Sequence, residues 1–231
     1  MGNISKIHLI TGHIGCGKSS IGYRLRDNGF MVIDTDFLRK DVYRHDPAIR
    51  TAVISKYGQA ALDDNGLSDY IRLASLDNIY MYMWLEDLTG STLTKELIRI
   101  LANEDECRYA SKPHVFIEAS NVFRWIKDAL NVFPKEKIGK VFKITADLEP
   151  RIFRVAQRLR DRGFTGNRTD IDHVRSIVTK TDELQTNIDS TVYYYTTSEY
   201  YPMEEESFSN PDGTDISWLT DQIMGSAYRT N

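Results

Sequence analysis

Gly12, Gly15 and Gly17 are followed directly by Lys18 and Ser19. The stretch Thr11-Gly12-His13-Ile14-Gly15-Cys16-Gly17-Lys18-Ser19 fits G-x-x-x-x-G-K-[ST], a turn whose backbone N–H groups cradle phosphate oxygens. Lys18 would reach the β- and γ-phosphates, and the Ser19 hydroxyl would ligate Mg²⁺. The pattern needs a strand before it and a helix after it. Ile7-His8-Leu9-Ile10 is a short apolar run that reads as a buried strand, and Ser19 to Asn28 carries Ile21 and Leu25 four apart, at helical spacing. A helix N-terminus behind the turn adds its dipole to the anion site. The expectation is a nucleoside triphosphate site with Mg²⁺. It would be formed by Gly12, His13, Ile14, Gly15, Cys16, Gly17, Lys18, Ser19 and Ser20.

Carboxylates stand where such a site would use them. Asp34 and Asp36 close the apolar run Phe30-Met31-Val32-Ile33. On an extended strand, residues two apart share a face, and the carboxyl ends of strands are where open α/β sheets hold ligands. One of the two would accept the proton of an acceptor hydroxyl or help to hold the metal's hydration shell. The competing reading makes Asp36 a helix N-cap ahead of Phe37-Leu38. Glu118 ends Pro113-His114-Val115-Phe116-Ile117 and is the second metal candidate after Ser19; its alternative is a solvated strand end. Arg151, Arg154, Arg158, Arg160, Arg162 and Arg168 crowd one segment, with Arg154 and Arg158 on one helix face. Arginines on a closing loop neutralise charge that develops during phosphoryl transfer. Arg158 is the foremost catalytic arginine and Arg154 the second. An exposed basic helix balanced by Asp147, Glu149 and Asp161 is the other reading. The histidines show no metal spacing, Cys107 has no partner, and Asn121, Asp182 and His173 form no nucleophile–base set. His13 reads as a permissive loop position.

These groups need elements to hold them. Strands are expected at Ile7–Ile10, Phe30–Ile33, Pro113–Glu118 and Lys140–Thr145, with a fifth at Thr191–Thr197 where Val192 and three tyrosines cluster. Between the second and third lies a long, mostly helical stretch from about Phe37 to Asn103. Asp46-Pro47 opens one helix there, Asp63-Asp64-Asn65-Gly66 marks a loop, Leu67–Leu88 reads as a second helix, and Thr89-Gly90 breaks it before Leu93–Leu101. Helices follow at about Val122–Phe133, at Glu149–Arg160, from a cap at Thr169 or Asp170 to about Thr186, and at Ile216–Met224, and Glu204 to Asp215 reads as acidic and turn-rich. Strands alternating with helices imply an α/β fold, a five-stranded parallel sheet with helices on both faces. The expectation is a single domain over 1–231, with a helical insertion at about 37–104 and a short lid at about 160–170.

Composition sets bounds. With 41% hydrophobic and 27% charged residues the chain is an ordinary globular one, and its net charge of −4 disfavours a broad nucleic-acid surface, leaving only a local basic patch. No apolar run approaches the ~20 residues that span a bilayer. Met1-Gly2-Asn3-Ile4-Ser5-Lys6 leads straight towards a strand, holds no apolar leader core, and has serine at the fifth position where N-myristoylation signals have it at the sixth. A cysteine inside the phosphate turn, Cys16, suits a reducing compartment. The expectation is a soluble cytoplasmic protein.

The residues together resemble dephospho-CoA kinase, a member of the nucleoside monophosphate kinase group of P-loop kinases. The resemblance lies in Leu9 to Ser20, in Gly29-Phe30-Met31-Val32-Ile33-Asp34-Thr35-Asp36, in Lys56-Tyr57-Gly58, in Asp64-Asn65-Gly66-Leu67, and in Arg154 to Arg158 with the loop after it. It implies an ATP-dependent kinase acting on the 3'-hydroxyl of dephospho-CoA, in coenzyme A biosynthesis. Asp36 would be the base, with Asp34 its close alternative, and Arg158 would act from the lid. The chain has Asp87-Leu88-Thr89-Gly90 where that family has a His-Pro pair, and Glu118-Ala119-Ser120-Asn121 where it has an acidic residue followed by Pro-Leu-Leu. Both departures fall on the acceptor side. A nucleoside monophosphate, or a hydroxyl on a nucleic acid base or end, therefore stays as an alternative small nucleotide-like acceptor.

Overall fold

A computed structural model describes residues 4–64, 66–68, 71, 74–75, 78–103, 112–120, 124–161, 163–196, 204–211 and 216–229. Strands β1 (Lys6–Thr11), β2 (Met31–Asp34), β5 (His114–Glu118), β6 (Ile138–Thr145) and β7 (Glu205–Ser209) form one five-stranded sheet. Its order is β2-β5-β1-β6-β7, with every pairing parallel. The connection from β1 runs to one edge of the sheet, and the later strands cross to the other side. The crevice beyond the carboxyl end of β1 is therefore a topological switch point, where such sheets bind ligands.

Side-chain alternation along the strands feeds two cores. Ile7 and Leu9 of β1, with Val115 and Ile117 of β5, join a layer covered by α2 (Thr35–His45), α3 (Pro47–Tyr57), α4 (Ile79–Ala102) and α5 (Arg124–Leu130). Ile10, Phe116, Phe142 and Ile144 point the other way, onto α1 (Lys18–Asp27) and α8 (Ile216–Ala227). Such a period of two, buried on both faces, is what a covered parallel sheet demands. The remaining helices, α6 (Leu148–Asp161) and α7 (Ile171–Thr196), pack together through Ile152, Val155, Ala156, Val174 and Val178.

Three expectations need correction. Thr191–Thr196 continues α7 as helix, and the fifth strand is Glu205–Ser209. Strand preference reflects the surface a side chain packs on, and the place beside β6 goes to a segment that can answer a buried charge. Lys140 of β6 is 5% exposed, and its Nζ lies 2.5 Å from Glu206 Oε1 and 3.2 Å from Ser226 Oγ. The acidic run is thus an edge strand whose Glu206 faces inward. Second, Thr89-Gly90 does not break a helix: α4 runs unbroken from Ile79, with the Thr89 hydroxyl bonding Leu85 O at 2.9 Å. One glycine in a long helix costs only ~1 kcal/mol, which packing absorbs. Third, no helix spans Leu67–Leu88. Gly66–Leu67 pairs with Leu62–Asp63 as the short hairpin β4–β3, and Asn78 caps α4. Asn65, Leu73 and Leu76, used for those readings, lie outside the described residues.

His8 occupies an apolar slot in the core between Phe116 and Phe142, with ring centroids 5.1 and 5.5 Å away. Its Nδ1 accepts the Lys140 backbone N–H at 3.1 Å, which leaves Nε2 to donate to His114 Nδ1 at 2.9 Å. That arrangement requires a neutral imidazole. Burial, aided by His114 and the lysines Lys6 and Lys140, pulls the His8 pKa from 6.5 down to about 3. The unfolded chain therefore takes up a proton first as pH falls. The contribution of His8 to stability is complete above about 6.5 and is lost progressively towards about 3. Between pH 6.5 and 5 the loss should approach ~1.4 kcal/mol per pH unit, read from urea midpoints. His8→Asn should flatten the slope, whereas a wild-type midpoint constant from pH 7 to 5 would show that His8 titrates normally.

Candidate active site

The phosphate loop leaves β1 at Thr11 and enters α1 at Lys18. Gly12 and Gly17 have φ of 145° and 106°, which side chains rarely adopt. Space forbids side chains as well: a Cβ on Gly12 would lie 2.1 Å from Ile144 O, and one on Gly17 2.4 Å from Asn210 Nδ2. Gly17 at the N-cap has no side chain with which to cap α1, which leaves the first N–H groups of the helix able to bind an anion. In front of them lies a cavity of about 360 Å³, lined by Lys18, Ser19, Ser20, Asp34, Asp36, Glu118, Arg154 and Arg158 among others. Ile14, Gly15 and Gly17 complete its loop side.

The Lys18 ammonium lies against its own loop, donating to Gly12 O at 2.6 Å and His13 O at 3.0 Å. Gly12, His13 and Cys16 are not among the residues that line the cavity. Cys16 is fully buried in the core beneath α1, and His13 turns away to Asp182. Ser19 Oγ donates to Glu118 Oε1 at 2.6 Å. Burial lifts the Glu118 carboxyl above its ordinary value, against the pull of that hydrogen bond, and the charge of Asp34 adds to the rise. Glu118 is 6% exposed, so it is not a solvated strand end.

Asp34 and Asp36 do not share a strand face. The strand stops at Asp34, whose Oδ1 caps α2 by accepting the N–H groups of Asp36 at 2.9 Å and Phe37 at 3.1 Å. The N-cap is thus Asp34 rather than Asp36, because an extended residue with a short acceptor is what the helix start needs. Asp36 sits exposed in the first turn of α2, and both carboxylates still reach the same cavity. Arg39, one turn on, forks onto Glu86 of α4 with Nη2–Oε2 at 3.1 Å, which ties α4 to the helix that carries Asp36. Burial holds the Glu86 carboxyl above its ordinary value, opposed by Arg39.

The arginines divide the loop's surroundings between them. Arg154 donates to Gly15 O at 3.2 Å and to Asn210 O at 3.3 Å. Arg158 lies exposed one turn on, at the cavity. Arg160, in the last turn of α6, reaches Thr169 O at 3.3 Å, and Arg168 stacks over Phe164 at 5.3 Å within the short connection between α6 and α7. Arg162, Asn121 and Cys107 lie outside the described residues. Two residues escaped the sequence reading. Asp182 binds His13 and Arg151, and Asn210 Nδ2 donates to Cys16 O at 2.7 Å. Asn210 could have been found only from the strand before it, which was read as a turn; a lone aspartate inside a helix gives no signal.

Two solved structures have the same architecture. A Thermus thermophilus protein, TT1252, superposes with a TM-score of 0.61 over 99% of this chain and 100% of its own, at 19% identity. The dephospho-CoA kinase of Campylobacter jejuni gives 0.53 over 97% and 96%, at 14% identity. At such identities the likeness speaks for the fold. In sequence, the chain is 33% identical to the dephospho-CoA kinase of Aquifex aeolicus over 99 residues, 42% of this chain and 50% of that protein. It is 30% identical to the Streptococcus pneumoniae enzyme over 118 residues, 49% of this chain and 59% of that one. The chain thus spans little more than half the length of these curated relatives. The dephospho-CoA kinase family as a whole matches residues 7–173, from the first strand through the start of α7. With that match covering most of the chain and the phosphate loop, Asp34, Asp36, Arg154 and Arg158 meeting at one cavity, this protein belongs to the dephospho-CoA kinase family.

Proposed function

We propose that the protein transfers the γ-phosphoryl group of ATP to the 3'-hydroxyl of dephospho-CoA. The observation that carries this reading is the convergence, at one cavity within the family match, of a phosphate loop, an exposed carboxylate and two arginines. Asp36 is the better base of the pair. Asp34 is committed to two backbone N–H groups, whereas the Asp36 carboxylate is exposed at the cavity. The acceptor oxygen attacks Pγ and its proton passes to Asp36. The bond from Pγ to the bridging oxygen breaks, and ADP leaves with that electron pair. Lys18, swinging from the Gly12 and His13 carbonyls to the phosphates, and Arg158 balance the charge on the transferring group.

Magnesium fits this donor set. Ser19 Oγ and Glu118 Oε1 meet at 2.6 Å, and a divalent ion would relieve the buried charge of Glu118 beside Asp34. Mg²⁺ keeps several waters and takes few protein ligands, so a serine and a carboxylate suffice beside phosphate oxygens. When bound, it would neutralise charge on the β- and γ-phosphates.

The connection from Arg160 to Asp170 is proposed as the lid over these groups. Gly163 and Gly166 have positive φ and open space around them, which suits a turn that moves. Arg158→Ala should lower kcat by ~10² while ATP affinity changes only a few-fold, because its partner charge develops during transfer. Equal losses in kcat and ATP binding would assign Arg158 to ground-state binding. A reducing, cytoplasmic setting suits Cys16, whose Sγ lies 3.9 Å from Lys18 Nζ.

The reaction is tested with purified protein, Mg-ATP and, separately, dephospho-CoA, the nucleoside monophosphates and short oligonucleotides. Products are identified by phosphorus NMR. A phosphomonoester on the 3'-oxygen of dephospho-CoA is expected. Turnover confined to a monophosphate or an oligonucleotide would replace the acceptor, and ATP consumption unchanged by every acceptor would overturn the reading.

A further inference from the structure

We infer that Asp182 is a positioning residue for the phosphate loop, fixing the loop's shape from the helix that follows the lid. The inference rests on the proposed binding of ATP at that loop. Asp182 Oδ2 accepts Arg151 Nη2 at 2.5 Å. Its Oδ1 accepts Arg151 Nη1 at 2.9 Å and lies 2.9 Å from His13 Nδ1, where the carboxylate requires a proton on the ring nitrogen. Arg151 Nη1 also donates to Ile14 O at 3.4 Å. One carboxylate therefore gathers the rising half of the loop, residues 13 and 14, and the first turns of α6. The Arg151 pair is shielded, with side-chain exposure of 6% for Arg151 and 22% for Asp182, so its charge-assisted bonds keep much of their strength.

An apolar contact runs parallel to this polar one. The Ile14 side chain packs on the layer where Ile152, Val155 and Ala156 meet Val174 and Val178. The helix that carries Asp182 also carries Thr181 at the cavity, and it begins directly after the glycine-containing connection, where Asp170 caps it. Asp182 lies beyond residue 173, where the family match ends, while its partners His13 and Arg151 lie within the match.

A loop must hold several N–H groups on one point to bind triphosphate, and holding it in advance lowers the cost of binding. The clamp should thus act on ATP affinity and leave chemistry in the bound complex alone. Asp182→Asn keeps the shape of the side chain and removes its charge. It should weaken binding of a nonhydrolysable ATP analogue about tenfold, the scale of a charged hydrogen bond. Both kcat and the acceptor KM should stay within about threefold, and Asp182→Glu should recover part of the loss. His13→Ala, at a half-exposed site, should carry part of the same effect and add nothing in the Asp182→Asn background, where its partner is already weakened.

Calorimetric titration of wild type, Asp182→Asn, Asp182→Glu, His13→Ala and the double variant decides the matter. Wild-type affinity in Asp182→Asn, or a full additive effect of His13→Ala, would overturn the inference. If Asp182→Asn does not fold, unchanged ATP affinity in His13→Ala overturns it instead. A wild-type protein that binds no ATP would remove the proposed function, and this inference with it.

Discussion

Lys18→Ala is expected to abolish phosphoryl transfer, by ~10³ or more, while the fold survives. The side chain is a cation at the mouth of a helix N-terminus, 8% exposed, with its ammonium 2.6 Å from Gly12 O and 3.0 Å from His13 O. It serves two purposes. It steadies the loop's carbonyls, and it can exchange those carbonyls for phosphate oxygens that carry full charge. Truncation removes both, but only the second is irreplaceable, because water can reach the loop. The first should cost about 1–3 kcal/mol, seen as a modest fall in the thermal midpoint. Single-turnover assays well below that midpoint, with circular dichroism as the control, separate the two. A variant with intact dichroism and near-native turnover would remove the phosphate loop from the mechanism.

Asp36→Asn is expected to lower the chemical step by ~10²–10⁴, the range for a general base, and to leave ATP affinity within a few-fold. Geometry sharpens the expectation. The backbone N–H of Asp36 is held by Asp34, and Arg39 on the same helix is pinned to Glu86, so an asparagine would stand in the same place. It could hydrogen-bond the acceptor but could not take its proton. A preserved chemical step with collapsed ATP affinity would instead mark Asp36 as part of the metal's surroundings, and the base would then be Asp34. Measuring Asp34→Asn alongside is informative in another way. Loss of the α2 cap should cost ~1 kcal/mol of stability, which Asp36→Asn should not.

Chemistry that rests on neighbouring residues was legible in the amino-acid sequence. The phosphate loop is local: a strand, a glycine turn and a helix start lie within one stretch of chain, so Lys18 and Ser19 could be named as candidates from spacing. The apolar strand runs gave four of the five sheet strands, because a parallel strand covered on both faces must be apolar throughout. Glu118 stands at a strand end, Asp36 two residues past one, and Arg154 and Arg158 at helical spacing from each other, so all four could be named as candidates.

What failed was what depends on partners far along the chain. Glu205–Ser209 reads as a surface turn until buried Lys140 gives Glu206 a reason to face inward. Thr191–Thr196 has strand-loving residues, yet with the edge beside β6 taken it continues a helix. Whether Asp34 or Asp36 caps α2 was settled by where the strand stops. His13 looked permissive and Asp182 inert, because their meeting spans 169 positions of sequence. Local pattern can specify an element and the group it carries. Long-range pairing alone decides which of those groups meet, since a buried charge selects its partner by burial and distance, and neither is written in the spacing of residues.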